Sequence, residues 1–321
     1  MNGRVAAASG REEGRPSRQI NVVLRNQDPP AITHIVGDSQ VVPPKIPGHS
    51  SLFQELSQEL DALVGLDNIK ELVFEIYALL QVAQMRSEAG LASGGQAYHM
   101  VFKGNPGTGK TTVARIIAKL FQRMGVLSKG HLIEVERADL VGEYIGHTAQ
   151  KTRDLVKKAL GGILFIDEAY SLARGGDKDF GKEAIDTLVK SMEDHRSQFV
   201  LILAGYSGEI DYFLMSNPGL PSRFPIQVEF PDYTLDQLLQ IAELMAKERD
   251  YILMPQAILK LKQHLLLERT EGVHAFSNAR YVRNAIEKAV RAQAVRLLNQ
   301  YESISPGKQE LMSLRTEDFK L

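Results

Sequence analysis

The sequence predicts an α/β protein: a five-stranded parallel sheet with helices on both faces, followed by a small all-helical domain. Three observations predict it. Short apolar runs at 100–102, 132–135, 163–166, 199–204 and 226–230 are separated mostly by helical segments, as in strands buried between two helical layers. The first of these runs passes through a glycine-rich turn straight into a helical pattern. Beyond Pro231 the alternation stops, and helical patterns follow at about 235–249, 255–268 and 277–299.

With 321 residues, 44% of them apolar, the chain is long enough for two domains and can bury a substantial core. Its formal net charge is −1, from 38 basic and 39 acidic residues, so no overall field favours nucleic acid or an anionic membrane. Cysteine is absent, which removes disulfides, thiolate metal sites and thiol nucleophiles and suits a reducing compartment. The opening residues lack the apolar core of a signal peptide, and no run approaches the ~18 apolar residues of a membrane span. The expected location is the cytoplasm.

Residues 1–50 carry Pro16, Pro29, Pro30, Pro43, Pro44 and Pro47 among many polar residues, and only QINVVL (19–24) reads as a short strand. An extended or disordered arm is expected there. Leu52, Leu56, Leu60 and Leu63 then recur at helical spacing, and 69–83 form a second apolar helix. The α/β domain is expected over 51–231 and the helical lid over 232–321. In the last helix Ala279, Val282, Ile286, Val290, Ala294 and Leu297 form one apolar stripe.

The segment GNPGTGKTT comprises Gly104, Asn105, Pro106, Gly107, Thr108, Gly109, Lys110, Thr111 and Thr112, and follows the apolar run HMVFK. Strand, loop and helix stand in the order of a phosphate-binding loop. Glycines let successive N–H groups face phosphates, and the helix N-terminus adds its positive end. Lys110 is placed to reach the β and γ phosphates, and the Thr111 hydroxyl to bind magnesium. A glycine-rich turn with a chance lysine is the alternative, but this pattern arises by accident on the order of once per hundred chains of this length, so ATP with Mg2+ is the expected cofactor.

GGILFIDEAY (161–170) places Asp167 and Glu168 at the carboxyl end of a strand apolar on both faces, where ligands bind in open parallel sheets. Asp167 can hold hydrated magnesium while Glu168 polarises the attacking water. The alternative for Asp167 is an N-cap of the next helix. Eight histidines are scattered without metal-binding spacing.

These two motifs, VGLDNIK (64–70), NPGTGKTTVAR, ADLVGEYIGHTAQKT and LILAGY followed by NPGLPSRF resemble the AAA+ ATPases. Within that superfamily the likeness is to the group of the bacterial rubisco activases and stage V sporulation protein K, over about residues 50–321. The resemblance implies ATP hydrolysis, a homo-oligomer in the form of a hexameric ring and a protein client. It implies that Gly65 and Arg280 contact nucleotide, Arg280 as the sensor-2 arginine with Arg283 one turn later as its rival. Arg223 matches the arginine finger that reaches the neighbouring subunit's γ-phosphate. Where many relatives of this superfamily carry an asparagine or threonine after the fourth strand, this chain has AGYSGE, leaving sensor 1 to Tyr206 or a backbone group beside it. The loop SLARGGDKD (171–179) reads as a solvated connection or as a second pore loop.

Two uses of ATP compete: a ring that remodels a protein client or threads part of it through its pore, in spore formation or as a rubisco-activase-like remodeller, and a nucleotide-dependent switch or scaffold without threading. A nucleic-acid loader is disfavoured by the charge balance and by the lack of a basic stretch interleaved with aromatics. GEYIG (142–146) discriminates. The resemblance makes Tyr144 and Ile145 pore loop 1, and an exposed tyrosine between glycines offers a large face at low entropy cost on a loop free to move. Leu140 and Val141 are the expected core residues beside it.

Overall fold

Each of the five apolar runs is a strand: β1 (Met100–Gly104), β2 (Leu132–Val135), β3 (Ile163–Ile166), β4 (Val200–Gly205) and β5 (Ile226–Phe230). The computed structural model describes residues 51–321 except 93–96, 145, 176–178, 272–275, 302–304 and 321, with the backbone alone at 51–54, 56 and 271. The arm and its QINVVL segment therefore lie outside the described residues. The strands form one parallel sheet in the order β2-β3-β4-β1-β5. Period-2 alternation divides their side chains between two cores. Met100, Phe102, Ile163, Phe165 and Ile202 face one way, and Val101, Leu164, Ile166, Leu201 and Leu203 the other.

The helices fill both faces. The first core takes residues from α1 (Ser51–Asp61), α2 (Asp67–Glu88) and α3 (Lys110–Arg123). The second is covered by α4 (Arg137–Leu140), α5 (His147–Ala159), α6 (Gly181–Asp194), α7 (Ser207–Ser216) and α8 (Leu220–Arg223). A 3-10 turn at Ala169–Ala173 follows β3.

The lid comprises α9 (Leu235–Lys247), α10 (Pro255–Glu271), α11 (Asn278–Gln300) and α12 (Lys308–Met312). Thr234 and Gln237 start α9 with a capping box: Thr234 Oγ1 accepts from the Gln237 N–H at 3.2 Å, and Gln237 Oε1 from the Thr234 N–H at 2.8 Å. The first core continues into the lid through Leu238, Ala242, Leu261, Val282 and Ile286, so one apolar body joins sheet and lid.

The lid is helical but not purely so: β6 (Ile252–Leu253) and β7 (Ser313–Leu314) pair in parallel, and a 3-10 turn at Thr316–Asp318 follows. Two-residue strands are too short for periodicity to register. The α11 stripe also departs from expectation at its far end, where Ala294 is exposed and Gln293 is 3% exposed. The Gln293 amide donates to the carbonyls of Leu311 and Ser313 at 2.9 and 3.0 Å, which gives its buried polar group partners.

Candidate active site

Strand order brings the chemistry together. β4 lies between β1 and β3, so the loop after β1 and the carboxylates after β3 flank the β4 end at Gly205 and Tyr206. A cleft of about 690 Å³ opens there, its walls including Gly107, Lys110, Thr111, Asp167, Tyr206 and Arg280. Gly104, Pro106, Gly109, Thr112, Glu168 and Arg283 also line it.

The loop after β1 requires its glycines. Gly104 has φ +147°, and a Cβ there would stand 2.3 Å from the Phe230 carbonyl oxygen. Gly109, with φ +96°, sits at the N-terminus of α3, which lacks a side-chain cap; its first N–H groups are left for a ligand. Lys110 Nζ donates to the Gly104 and Asn105 carbonyl oxygens, both at 2.8 Å. Burial pulls its pKa below the usual lysine value; Asp167 and Asp232 oppose that shift and Arg280 adds to it. An ammonium half withdrawn from water and held on carbonyls is ready to exchange those partners for phosphate oxygens.

Not every loop residue faces the cleft with its side chain. Thr108 is fully buried and donates to the Asn105 carbonyl oxygen at 2.8 Å, while the Asn105 amide donates to Asp232 at 3.0 Å. Both side chains shape the loop. Gly65 lies between Val64 and Leu66, which line the cleft, but its nearest neighbour is the Gln237 side chain.

Asp167 does not begin an α-helix; its Oδ1 accepts from the Glu168 N–H at 3.0 Å at the head of the 3-10 turn. Glu168 has φ +47°, a left-handed conformation rare for a side chain of its size, and is exposed beside the cleft. Tyr170 packs beneath Gly205, where a Cβ would stand 2.7 Å from its ring, and burial foremost pushes its pKa up to about 12. Tyr206, half-buried, presents its ring 6.1 Å from that of Tyr170.

Arg223 is not in this cleft. It ends α8, donates to the Gly219 carbonyl oxygen at 2.8 Å and pairs with Glu193 of α6. Tyr144 stands apart as well, 65% exposed, its ring meeting that of His147 edge-on at 5.4 Å. The base of its loop is anchored to α5: the Gly142 N–H donates to Thr148 Oγ1 at 2.9 Å, and Lys151 Nζ to the Ala138 and Val141 carbonyl oxygens at 3.0 Å. Leu140 is fully buried and Val141 half-buried. Ile145 lies outside the described residues, as does the middle of the 171–179 loop, whose Asp179 is paired with Arg137.

Sequence reasoning missed Asp232, Tyr233 and Asn278. Tyr233, pushed up to about 12 by burial, donates to the Thr108 carbonyl oxygen at 3.2 Å, and Asn278 is buried against the loop. No spacing marks them, because the linker and α11 meet the loop only in three dimensions.

Two family descriptions match in tandem: the ATPase family associated with various cellular activities over 100–232, and the AAA lid domain over 234–321. Stage V sporulation protein K of Bacillus subtilis strain 168 is 57% identical over 306 residues, 94% of each chain. The chain belongs to the AAA family of ATPases. This AAA ATPase is also 46% identical to the chloroplastic ribulose bisphosphate carboxylase/oxygenase activase of Cyanidioschyzon merolae over 83% of its own length and 91% of the relative's. The protein CbxX of Cupriavidus necator is 47% identical over 78% and 79%. The AAA domain of FIGL-1, solved with ADP, superposes with a TM-score of 0.54 at 16% identity over 80% of each chain, a likeness of fold.

The residues fit a magnesium nucleotide. The cleft joins an uncapped helix start, a desolvated lysine, a hydroxyl and a carboxylate. Among the described residues no group of three or more His, Asp or Glu side chains could hold a metal by itself, so a magnesium ion would rely on Thr111, Asp167 and the nucleotide's own oxygens. Among them too, no helix is long and apolar enough to cross a membrane.

Proposed function

We propose that this ATPase assembles into hexameric rings in the cytoplasm and uses hydrolysis to remodel a protein client, or to thread part of it through the central pore, in bacterial spore formation. Lys110 and the loop backbone from Gly104 to Thr112 hold the phosphates, with Gly65 beside the nucleotide. Thr111 and Asp167 would hold magnesium, which would screen the phosphate charge. Glu168 orients and polarises the attacking water. Arg280 contacts the nucleotide from the lid, and Arg223 of one subunit completes the site of the next. Sensor 1 falls to Tyr206 or a backbone group beside it.

The observation that carries the threading reading is Tyr144: a large, exposed aromatic on a loop whose base is anchored and whose end glycine, Gly146 at φ +82°, has no atom of the described residues within 4 Å of its Cβ position. Such a side chain grips chemically varied segments without a matching pocket. The near-neutral charge argues for protein over nucleic acid. The 57% identity to a stage V sporulation protein supports the spore-formation setting. The 46% identity to a rubisco activase supports a second reading, separable by adding inhibited rubisco and following its carboxylation.

The test is a photo-crosslinker at position 143 in the Glu168→Gln protein, expressed in sporulating cells, with Tyr144 intact or replaced by Ala. Client peptides crosslinked only when Tyr144 is present support the grip. Equal capture by both proteins would defeat it and favour a switch or scaffold.

A further inference from the structure

One carboxylate is shared between the lid and the phosphate loop. Asp232, in the linker between β5 and α9, accepts from Asn105 Nδ2 at 3.0 Å on both oxygens and from Asn278 Nδ2 at 2.7 Å. Asn278 is fully buried and fully used. Its Nδ2 also faces the Phe276 carbonyl oxygen at 3.1 Å and the Pro106 carbonyl oxygen at 3.4 Å, and its Oδ1 accepts from the Tyr233 N–H at 3.0 Å.

Its backbone is consistent with that role. Asn278 has φ +47°, a left-handed conformation that asparagine adopts more readily than other non-glycine residues, its short amide bonding locally. The next N–H, of Ala279, donates to the Gly107 carbonyl oxygen at 3.2 Å. The approach leaves no slack: a Cβ on Gly107 would stand 2.2 Å from the Ser277 carbonyl oxygen and 2.8 Å from the Arg280 nitrogen. One residue beyond Ala279 is Arg280, on the wall of the cleft.

We infer that Asp232 and Asn278 are positioning residues: together they latch the first turn of α11 onto the phosphate loop and so set Arg280 over the nucleotide. The inference rests on the reading of Arg280 as a nucleotide contact. A network serving only as structural cement would contribute stability without acting through Arg280.

The two cases separate in the full-length chain. Asp232→Asn keeps the shape, but its amide would point a donor at the donor of Asn105 or Asn278. Asn278→Gly keeps the positive φ and removes the amide. Each variant is expected to bind mant-ATP with magnesium about tenfold more weakly, the scale of one lost hydrogen bond to a charged group. Without nucleotide, the amides of 279–281 should exchange hydrogen faster. In an Arg280→Ala background the same changes should weaken binding less than twofold, because the residue they position is already gone. If Arg280→Ala weakens binding and the doubles multiply the two losses, positioning is overturned. Unaltered exchange at 279–281 in both variants overturns the latch. Unchanged affinity in Arg280→Ala overturns the nucleotide-contact reading itself, and the positioning claim with it.

Discussion

Replacing Gly107 by alanine tests how tightly the lid is seated. The substitution adds one methyl group with two separable costs. Holding alanine at φ +73° costs about 1–2 kcal/mol. The methyl would also stand 2.2 Å from the Ser277 carbonyl oxygen, roughly 1 Å inside ordinary contact, and that neighbour is backbone. Relief requires α11 to retreat by about that distance, which breaks the 3.2 Å bond from Ala279 to Gly107 and forfeits about another 1–2 kcal/mol. The sum, about 2–4 kcal/mol, corresponds to a fall in Tm of roughly 4–8 °C for a body of this size. Gly125→Ala is the internal control: its φ is +72° and nothing among the described residues lies within 4 Å of the added carbon, so it carries the conformational cost alone. Thermal unfolding of both proteins, with mant-ATP titration, measures the difference. The reasoning fails if Gly107→Ala is no less stable than Gly125→Ala and binds nucleotide normally.

The other predictions address chemistry, assembly and pH. Glu168→Gln should bind ATP with near-normal affinity while hydrolysis falls by about 10²–10⁴, the usual worth of a positioned base; single-turnover assays measure it, and ordinary turnover would remove Glu168 from catalysis. Arg223→Ala and Lys110→Ala proteins, each inactive alone, should regain up to about one quarter of wild-type ATPase when mixed in equal amounts, since one interface in four then unites an intact lysine with an intact arginine. No recovery in mixtures would argue against a shared site. His99 is buried against Phe199 and Phe224, its Nδ1 accepts from the Leu201 N–H at 3.0 Å, and burial lowers its pKa from 6.5 to about 4. The neutral ring is the stable one, so its contribution is complete above pH 6.5 and is lost as pH falls towards 4. His99→Gln retains an acceptor without titrating, and its melting temperature should fall less over that window than the wild type's.

Much of the site was legible because its chemistry is local. Lys110, Thr111, Asp167 and Glu168 sit on short motifs whose strands announce themselves by apolar runs, and the fold places both motifs on one cleft. The strand order was not legible, since parallel pairing joins segments far apart in sequence and no turn reports it. Asp232 and Asn278 were invisible for a related reason: a lone Asp in a linker and a lone Asn before a helix look like ordinary caps until the loop, linker and lid are folded together. Asn105 and Thr108 were legible as loop residues, but only the structure assigns their side chains to holding the loop's shape. Gln293 illustrates the opposite error, a polar residue inside the apolar stripe that periodicity passed over because its partners come from α12 and β7.

The anchored base beneath Tyr144 has a mechanical meaning. Arg137, at the head of the helix that leads to this loop, donates to the Ser171 carbonyl oxygen at 2.7 Å and grips Asp179. The Asp167 N–H donates to the Val135 carbonyl oxygen at 3.0 Å. A tug on the tyrosine would therefore run along a short, stiff linkage into the turn that follows Glu168. On the proposed reading, load on the loop and the geometry at the carboxylates would share one lever, so a force exerted by a client segment would reach the turn that carries Asp167 and Glu168.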